Sequence, residues 1–109
     1  MDNNITMVKG DTASFGVKFK DYPDIALDKG VLTVRTDFNA SAYLFQKTLD
    51  NGVSRVGAGE YTVRIAPSDT ANLQEGTYVY DFKIGVNGDL FTLLRGLFIV
   101  LPRVGHVTA

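Results

Sequence analysis

Residues 76–102, GTYVYDFKIGVNGDLFTLLRGLFIVLP, form the most apolar and aromatic stretch of the chain, and they decide its fold. The pattern predicts two strands joined by a tight turn around residues 87–89. In the first strand, one face carries Tyr78, Tyr80, Phe82, Ile84 and Val86, and the other carries Thr77, Val79, Asp81 and Lys83. This period of two is typical of a strand that is buried on one side. In the second strand both faces are apolar, so alternation does not say which face is buried.

Two signals give different registers for this hairpin. A two-residue turn at Asn87-Gly88 has the favoured type I′ chemistry, and it would place Tyr80 opposite Arg95. A turn longer by one residue places Asp81 opposite Arg95 and Tyr80 opposite Gly96. Cross-strand pairs of opposite charge, or of an aromatic ring over a glycine, contribute roughly 0.2–1 kcal/mol each. We therefore predict the register of the three-residue turn.

This register turns one apolar face of the second strand away from the core. The side chains concerned are Phe91, Leu93, Leu97, Ile99 and Leu101. Contiguous exposed apolar surface is uncommon on soluble monomers, so the pattern indicates a protein–protein interface. Homo-oligomers are the commonest outcome of such a surface. The alternatives are that a loop or another sheet covers these side chains, or that the register is wrong.

The rest of the chain alternates in short segments separated by turn residues. Strands are predicted at residues 5–8, 12–20, 31–38, 42–49, 53–56 and 60–66. Their expected inner side chains are Phe15, Val17, Phe19, Leu32, Val34, Phe38, Tyr61, Val63 and Ile65. Residues 67–73, PSDTANL, indicate one helical turn that carries the chain from one sheet to the other. About eight short strands without a sustained helical period predict an all-β sandwich or small barrel.

Composition bounds the organisation of the chain and excludes several function classes. We expect one domain over residues 1–109, with flexible tails at 1–4 and 103–109. The net charge of −1 and the absence of cysteine give no drive toward nucleic acid, no disulfides and no thiol chemistry. We see no secretory signal at the N-terminus. The longest apolar run, 90–101, is shorter than the roughly 20 residues that span a bilayer, so we expect no membrane insertion.

No group of residues has the spacing of a catalytic site. His106 is the one histidine, and a catalytic or metal role needs a positioned second group. Asp21, Asp24 and Asp28 share one loop, but their spacing is not that of an EF-hand, and turn chemistry accounts for them. We therefore expect no enzyme activity, no cofactor and no metal.

Several short stretches together form a recognisable layout of turns, core aromatics and a strand glycine. They are KGDTASF (9–15), PSDT (67–70), GTYVYDF (76–82), TLLRG (92–96) and FIV (98–100). In this layout the chain resembles the small Ig-like β-sandwich proteins and modules of phage and prophage tails and baseplates of Gram-positive bacteria, including the N-terminal part of baseplate upper proteins. One departure is that the outer face of the last strand is more apolar than a solvent-facing strand of that family should be.

The resemblance implies an Ig-like β-sandwich of about eight short antiparallel strands with one helical turn near 67–73. It also implies a non-enzymatic structural module of the virion, assembled in the host bacterial cytoplasm through contacts with other tail proteins and with copies of itself. It carries over no functional residue, because these stretches contain no catalytic group. The alternative function is a carbohydrate- or cell-surface-binding module, for which Tyr22 and Tyr43 are the nearest candidates.

Overall fold

A computed structural model describes residues 4–18, 29–57 and 59–103, and all structural statements concern these ranges. The elements in chain order are β1 (Ile5–Val8), β2 (Ala13–Lys18), β3 (Lys29–Arg35), β4 (Phe45–Leu49), β5 (Gly52–Gly57), β6 (Glu60–Ile65), α1 (Pro67–Thr70), β7 (Gly76–Val86) and β8 (Asp89–Leu101). The predicted all-β class is confirmed, and the strands lie where alternation predicts them, with ends that differ by up to three residues. The predicted tails fall outside the described residues except for Asn4 and Arg103. Phe19, predicted to point inward, also lies outside them.

The strands form two layers in the spatial order β1-β8-β7-β3-β4-β5-β6-β2. One layer contains β1, β8, β7, β3 and β4, and the other contains β5, β6 and β2. Strand β4 connects the layers, because the chain turns sharply at Asp50 and β5 starts the second layer beside it. The pairs β1–β8 and β4–β5 run parallel, so the expectation of antiparallel strands throughout is wrong at these two places.

The core lies between the layers: every strand but β4 contributes buried side chains, and Phe45 and Leu49 of β4 pack against them. Its buried members are Met7, Val17, Leu32, Val34, Val53, Tyr61, Val63, Ile65, Tyr80, Phe82, Ile84, Val86, Phe98 and Val100. Burying a large apolar side chain contributes about 1.5–3 kcal/mol, so this cluster supplies the main driving force for folding. Phe38, predicted to point inward, is 46% exposed. The prediction is wrong because β3 ends at Arg35 and Phe38 lies in the loop that follows.

The segment between β6 and β7 fixes how the chain passes from one layer to the other. The Asp69 carboxylate accepts a hydrogen bond of 2.7 Å from the Ala66 N–H, and it forms an ion pair with Lys47 Nζ at 2.6 Å. The Tyr78 hydroxyl donates to the Gln74 carbonyl at 2.7 Å. A tyrosine that bonds backbone a few residues upstream at this corner is a hallmark of Ig-type sandwiches.

The β7–β8 hairpin combines the register predicted from the cross-strand pairs with the two-residue turn that Asn87-Gly88 favours. Asp81 lies opposite Arg95 and Tyr80 opposite Gly96, so the predicted register is confirmed in the body of the hairpin. The turn itself has two residues, because Val86 pairs with Asp89, and the predicted three-residue turn is wrong. Asn87 and Gly88 have φ values of 52° and 88°, as a type I′ turn requires.

A β-bulge at Leu93 accounts for the difference between the two ends of the hairpin. The pairing shifts by one residue between Phe82 and Lys83, and Leu93 is the residue left without a partner. Opposite residues of a pair share a face, so Phe91, which lies opposite the buried Ile84, is on the inner face. Leu93 packs against the core. The prediction that Phe91 and Leu93 point outward is therefore wrong, because the bulge turns the hairpin tip over.

Candidate functional site

The candidate site lies on the outward surface of the β8-β7-β3-β4 layer, which we call the front face. Cross-strand pairing places these side chains on it: Lys29, Val31, Thr33, Arg35, Gln46, Thr77, Val79, Asp81, Lys83, Leu90, Thr92, Arg95, Leu97, Ile99 and Leu101. The outward surface of the other layer, the back face, carries Ser14, Gly16, Lys18, Ser54, Thr62 and Arg64. The front face divides into an apolar patch, a covered centre and a basic groove.

The apolar patch consists of Leu97, Ile99 and Leu101 at the C-terminal end of β8. Leu97 is 37% and Leu101 42% exposed, and Ile99 is half-buried. These are the members of the predicted interface that face outward. Phe91 is also 44% exposed, but it lies at the hairpin tip on the other side of the layer. The patch is thus smaller than predicted and confined to one end of the front face.

The centre of the front face is covered by the loop between β3 and β4. The Arg95 guanidinium carbon lies 4.2 Å from the centroid of the Phe38 ring, a cation–π arrangement. Beneath this loop Val79 and Thr33 are only 9% and 5% exposed. The register that the sequence predicts from a pairing of opposite charges is therefore correct, but Arg95 contacts an aromatic ring. The carboxylate of Asp81 instead lies 3.9 Å from Nη1 of Arg35.

The basic groove lies toward the hairpin tip and has a volume of about 200 Å³. Its lining comprises Lys29, Val31, Thr33, Arg35, Gln46, Asp81, Lys83, Ile84 and Leu90. The Gln46 side-chain amide donates to the Thr33 hydroxyl at 3.1 Å on its floor. The Arg35 side chain is 30% exposed, and its Nε is buried without a hydrogen-bond partner. The described lining residues offer positive charge and N–H donors to an acceptor group.

Several residues singled out in the sequence fall outside the described ranges. They are His106, the loop carboxylates Asp21, Asp24 and Asp28, and Tyr22. Among the described residues, no group of three His, Cys, Asp or Glu side chains could hold a metal ion. No helix within those ranges is long and apolar enough to cross a membrane. Tyr43, the remaining glycan candidate, is 54% exposed in the loop before β4.

Sequence reasoning missed the basic groove. Lys29 and Arg35 belong to β3, and Lys83 belongs to β7. Arg35 and Lys83 are more than forty residues apart in the sequence. One signal was present: positions 29, 31, 33 and 35 alternate with buried ones, which places Lys29 and Arg35 on one face. The partner strand β7 could have been aligned with β3 only from the tertiary fold.

Comparison with known proteins supports the fold. No protein-family model and no curated protein matches the chain. An endo-beta-1,4-mannanase from Thermotoga petrophila has a similar fold (TM-score 0.60, 14% identity), and the match covers 94% of this chain but only 18% of the mannanase. The NK cell receptor NKp44, a triggering partner in natural cytotoxicity, is also similar (TM-score 0.57, 12% identity), with 94% of this chain and 99% of the receptor covered. At these identities the likeness shows the fold alone, an all-β Ig-like sandwich.

Proposed function

We propose that the protein is a non-enzymatic structural module of a phage or prophage tail or baseplate, and that it acts in the virion through protein–protein contacts. Two observations support this. The sequence resembles Ig-like modules of such assemblies in stretches 9–15, 67–70, 76–82, 92–96 and 98–100. The front face also presents apolar side chains where a solvent-facing strand would carry polar ones.

The apolar patch is the observation that carries the proposal. Leu97, Ile99 and Leu101 lie in succession on one side of β8, and each keeps solvent contact in the monomer. Covering them with a second protein surface would be favourable by about 25 cal/mol for each Å² of apolar area removed from water. The commonest way to cover a small apolar patch is an isologous contact with a second copy of the chain.

Light scattering over a range of protein concentrations tests this proposal. We expect the wild type to associate as the concentration rises, and the double variant Leu97→Ser/Leu101→Ser to remain monomeric. The matched control is Val56→Ser, which removes a side chain that is 62% exposed in the other layer and should leave association unchanged. A wild type that stays monomeric at the highest concentration, or a control that dissociates equally, would contradict assembly through the apolar patch.

A second candidate function is the binding of a carbohydrate or cell surface. Tyr43 favours it, because an exposed aromatic ring offers a rigid apolar surface with a polar tip. A glycan array probed with the wild type and with Tyr43→Ala and Tyr22→Ala separates the two functions. Glycan binding that is lost in either variant would favour recognition over assembly.

A further inference from the structure

We propose that the basic groove of the front face binds carboxylate side chains of another protein. This inference rests on the proposed function in assembly, and it adds the chemistry of the partner and a second contact surface. The basic groove extends toward the hairpin tip and the apolar patch toward the other end of β8, and the row of Arg35, Val79 and Leu97 across β3, β7 and β8 is where the two come nearest.

Arg35 provides the first argument. A guanidinium carries five N–H donors in a planar fork that matches a carboxylate. The Arg35 side chain is largely buried, yet its closest carboxylate oxygen, on Asp81, is 3.9 Å away, which is too long for a hydrogen bond. Its Nε has no hydrogen-bond partner among the described residues. Leaving a buried donor unbonded costs about 1–3 kcal/mol, so the fold holds Arg35 in place without completing its hydrogen bonds, and the exposed 30% of the side chain is the part that an acceptor in the groove can reach.

The charge balance of the groove provides the second argument. Lys29 and Lys83 line it together with Arg35, and among the described lining residues Asp81 is the one carboxylate. Neither lysine forms an ion pair with another residue in the described part of the chain. The groove thus carries an excess of positive charge, although the whole chain has a net charge of −1. Such a site favours an acidic partner and disfavours a second copy of the same face.

The surroundings of the groove favour a protein over a glycan. Pockets for small ligands are usually lined by apolar and aromatic side chains, but no aromatic ring is among the described residues that line this groove. Its apolar members are Val31, Ile84 and Leu90, and Leu90 is 62% exposed. This mixture of apolar and arginine contacts is characteristic of protein–protein interfaces. The occupant is therefore an acidic segment whose carboxylates alternate with apolar side chains.

Fluorescence anisotropy with defined peptides tests the inference. The probe is a fluorescein-labelled peptide in which aspartates and glutamates alternate with leucines, and the matched peptide has asparagines and glutamines instead. We expect saturable, salt-sensitive binding of the acidic peptide alone. Arg35→Gln/Lys83→Gln should weaken binding about tenfold or more, since hydrogen bonds to charged groups are strong. The single variant Lys83→Gln, at an exposed position, should also weaken peptide binding. Because it leaves Arg35 in place, its result remains interpretable if the double variant does not fold.

The matched control is Lys18→Gln/Arg64→Gln, which removes the same charge from the back face and should bind like the wild type. Failure of the acidic peptide to bind, equal binding of the neutral peptide, or equal loss in both double variants would overturn the inference. So would binding of polygalacturonate in place of the peptide with the same sensitivity to Arg35 and Lys83, because the occupant would then be an anionic glycan. Leu97→Ser/Leu101→Ser should keep peptide binding, so this result is separable from failure of the proposed self-association.

Discussion

The two outward surfaces of the sandwich differ in how far their charged side chains are exposed to water. On the back face, Lys18 pairs with Glu60 at 3.2 Å, and their side chains are 74% and 44% exposed. On the front face, Arg35 and Asp81 are 3.9 Å apart, and theirs are 30% and 19% exposed. Exposed pairs contribute about 0–1 kcal/mol and remain solvated, whereas the front face removes charges from water without completing their hydrogen bonds. The buried Arg35 Nε without a partner does not stabilise the fold, which is in keeping with the proposed contact at the front face.

The largest expected effect is the difference in stability between two valine truncations, one at a buried position of the front face and one at an exposed position in the other layer. Val79→Ala should lower the free energy of unfolding by about 2 kcal/mol, because two buried methyl groups are lost and a cavity remains. Val56→Ala should change it by less than about 0.5 kcal/mol, since that side chain is 62% exposed. Urea denaturation monitored by circular dichroism measures both. Equal losses would show that the front face is no better covered than the rest of the surface.

An intermediate effect is expected at the loop that covers the front face. Phe38→Ala should cost about 1 kcal/mol, because it removes the cation–π contact with Arg95 and uncovers Thr33 and Val79. Tyr43→Ala, in the same loop but 54% exposed, is the matched substitution and should be nearly neutral. Hydrogen exchange at the amide of Thr33 should accelerate in the first variant only. Unchanged exchange there would mean that the loop does not protect the sheet.

The smallest expected effect would sharpen the comparison most. Arg35→Met should leave the free energy of unfolding within about 0.5 kcal/mol of the wild type, because the lost ion pair is offset by removal of an unpaired buried donor. Lys18→Met on the back face should fall within the same range, as exposed pairs contribute little. Paired urea titrations give the difference. A loss above about 2 kcal/mol for Arg35→Met would identify Arg35 as a structural residue and remove the main argument for the basic groove.

The sequence predicted the elements that depend on local alternation. The inward faces of β6 and β7 are buried as expected, because Tyr61, Val63 and Ile65 follow a strict period of two with clear turns on either side. Phe38 was misplaced because alternation continues past Arg35 although the strand ends there. The hairpin was predicted with the correct register in its body and with the wrong turn and tip pairing. Each turn length is compatible with a regular ladder of cross-strand pairs, so neither indicates a bulge. The bulge can be recognised only when the two strands are aligned with each other.

The candidate site was predictable in part. The outward position of Leu97, Ile99 and Leu101 follows from the pairing of Asp81 with Arg95, which could be argued from charge and from the strand glycine. The basic groove could not be found in this way. It joins Arg35 of β3 to Lys83 of β7, and the pairing of those strands is set by the core rather than by any local motif.

The bulge at Leu93 also bears on how the protein avoids precipitation. On the side of β8 away from β7, β1 pairs with residues 98–101, and no other described strand lies along residues 89–97. An unpaired apolar edge of this length invites strands of other molecules to add to it. The bulge interrupts the edge near its middle and increases its twist, so a straight foreign strand cannot keep its hydrogen bonds on both sides of Leu93. We therefore expect the extra residue at Leu93 to disfavour edge-to-edge addition of other molecules along this part of β8.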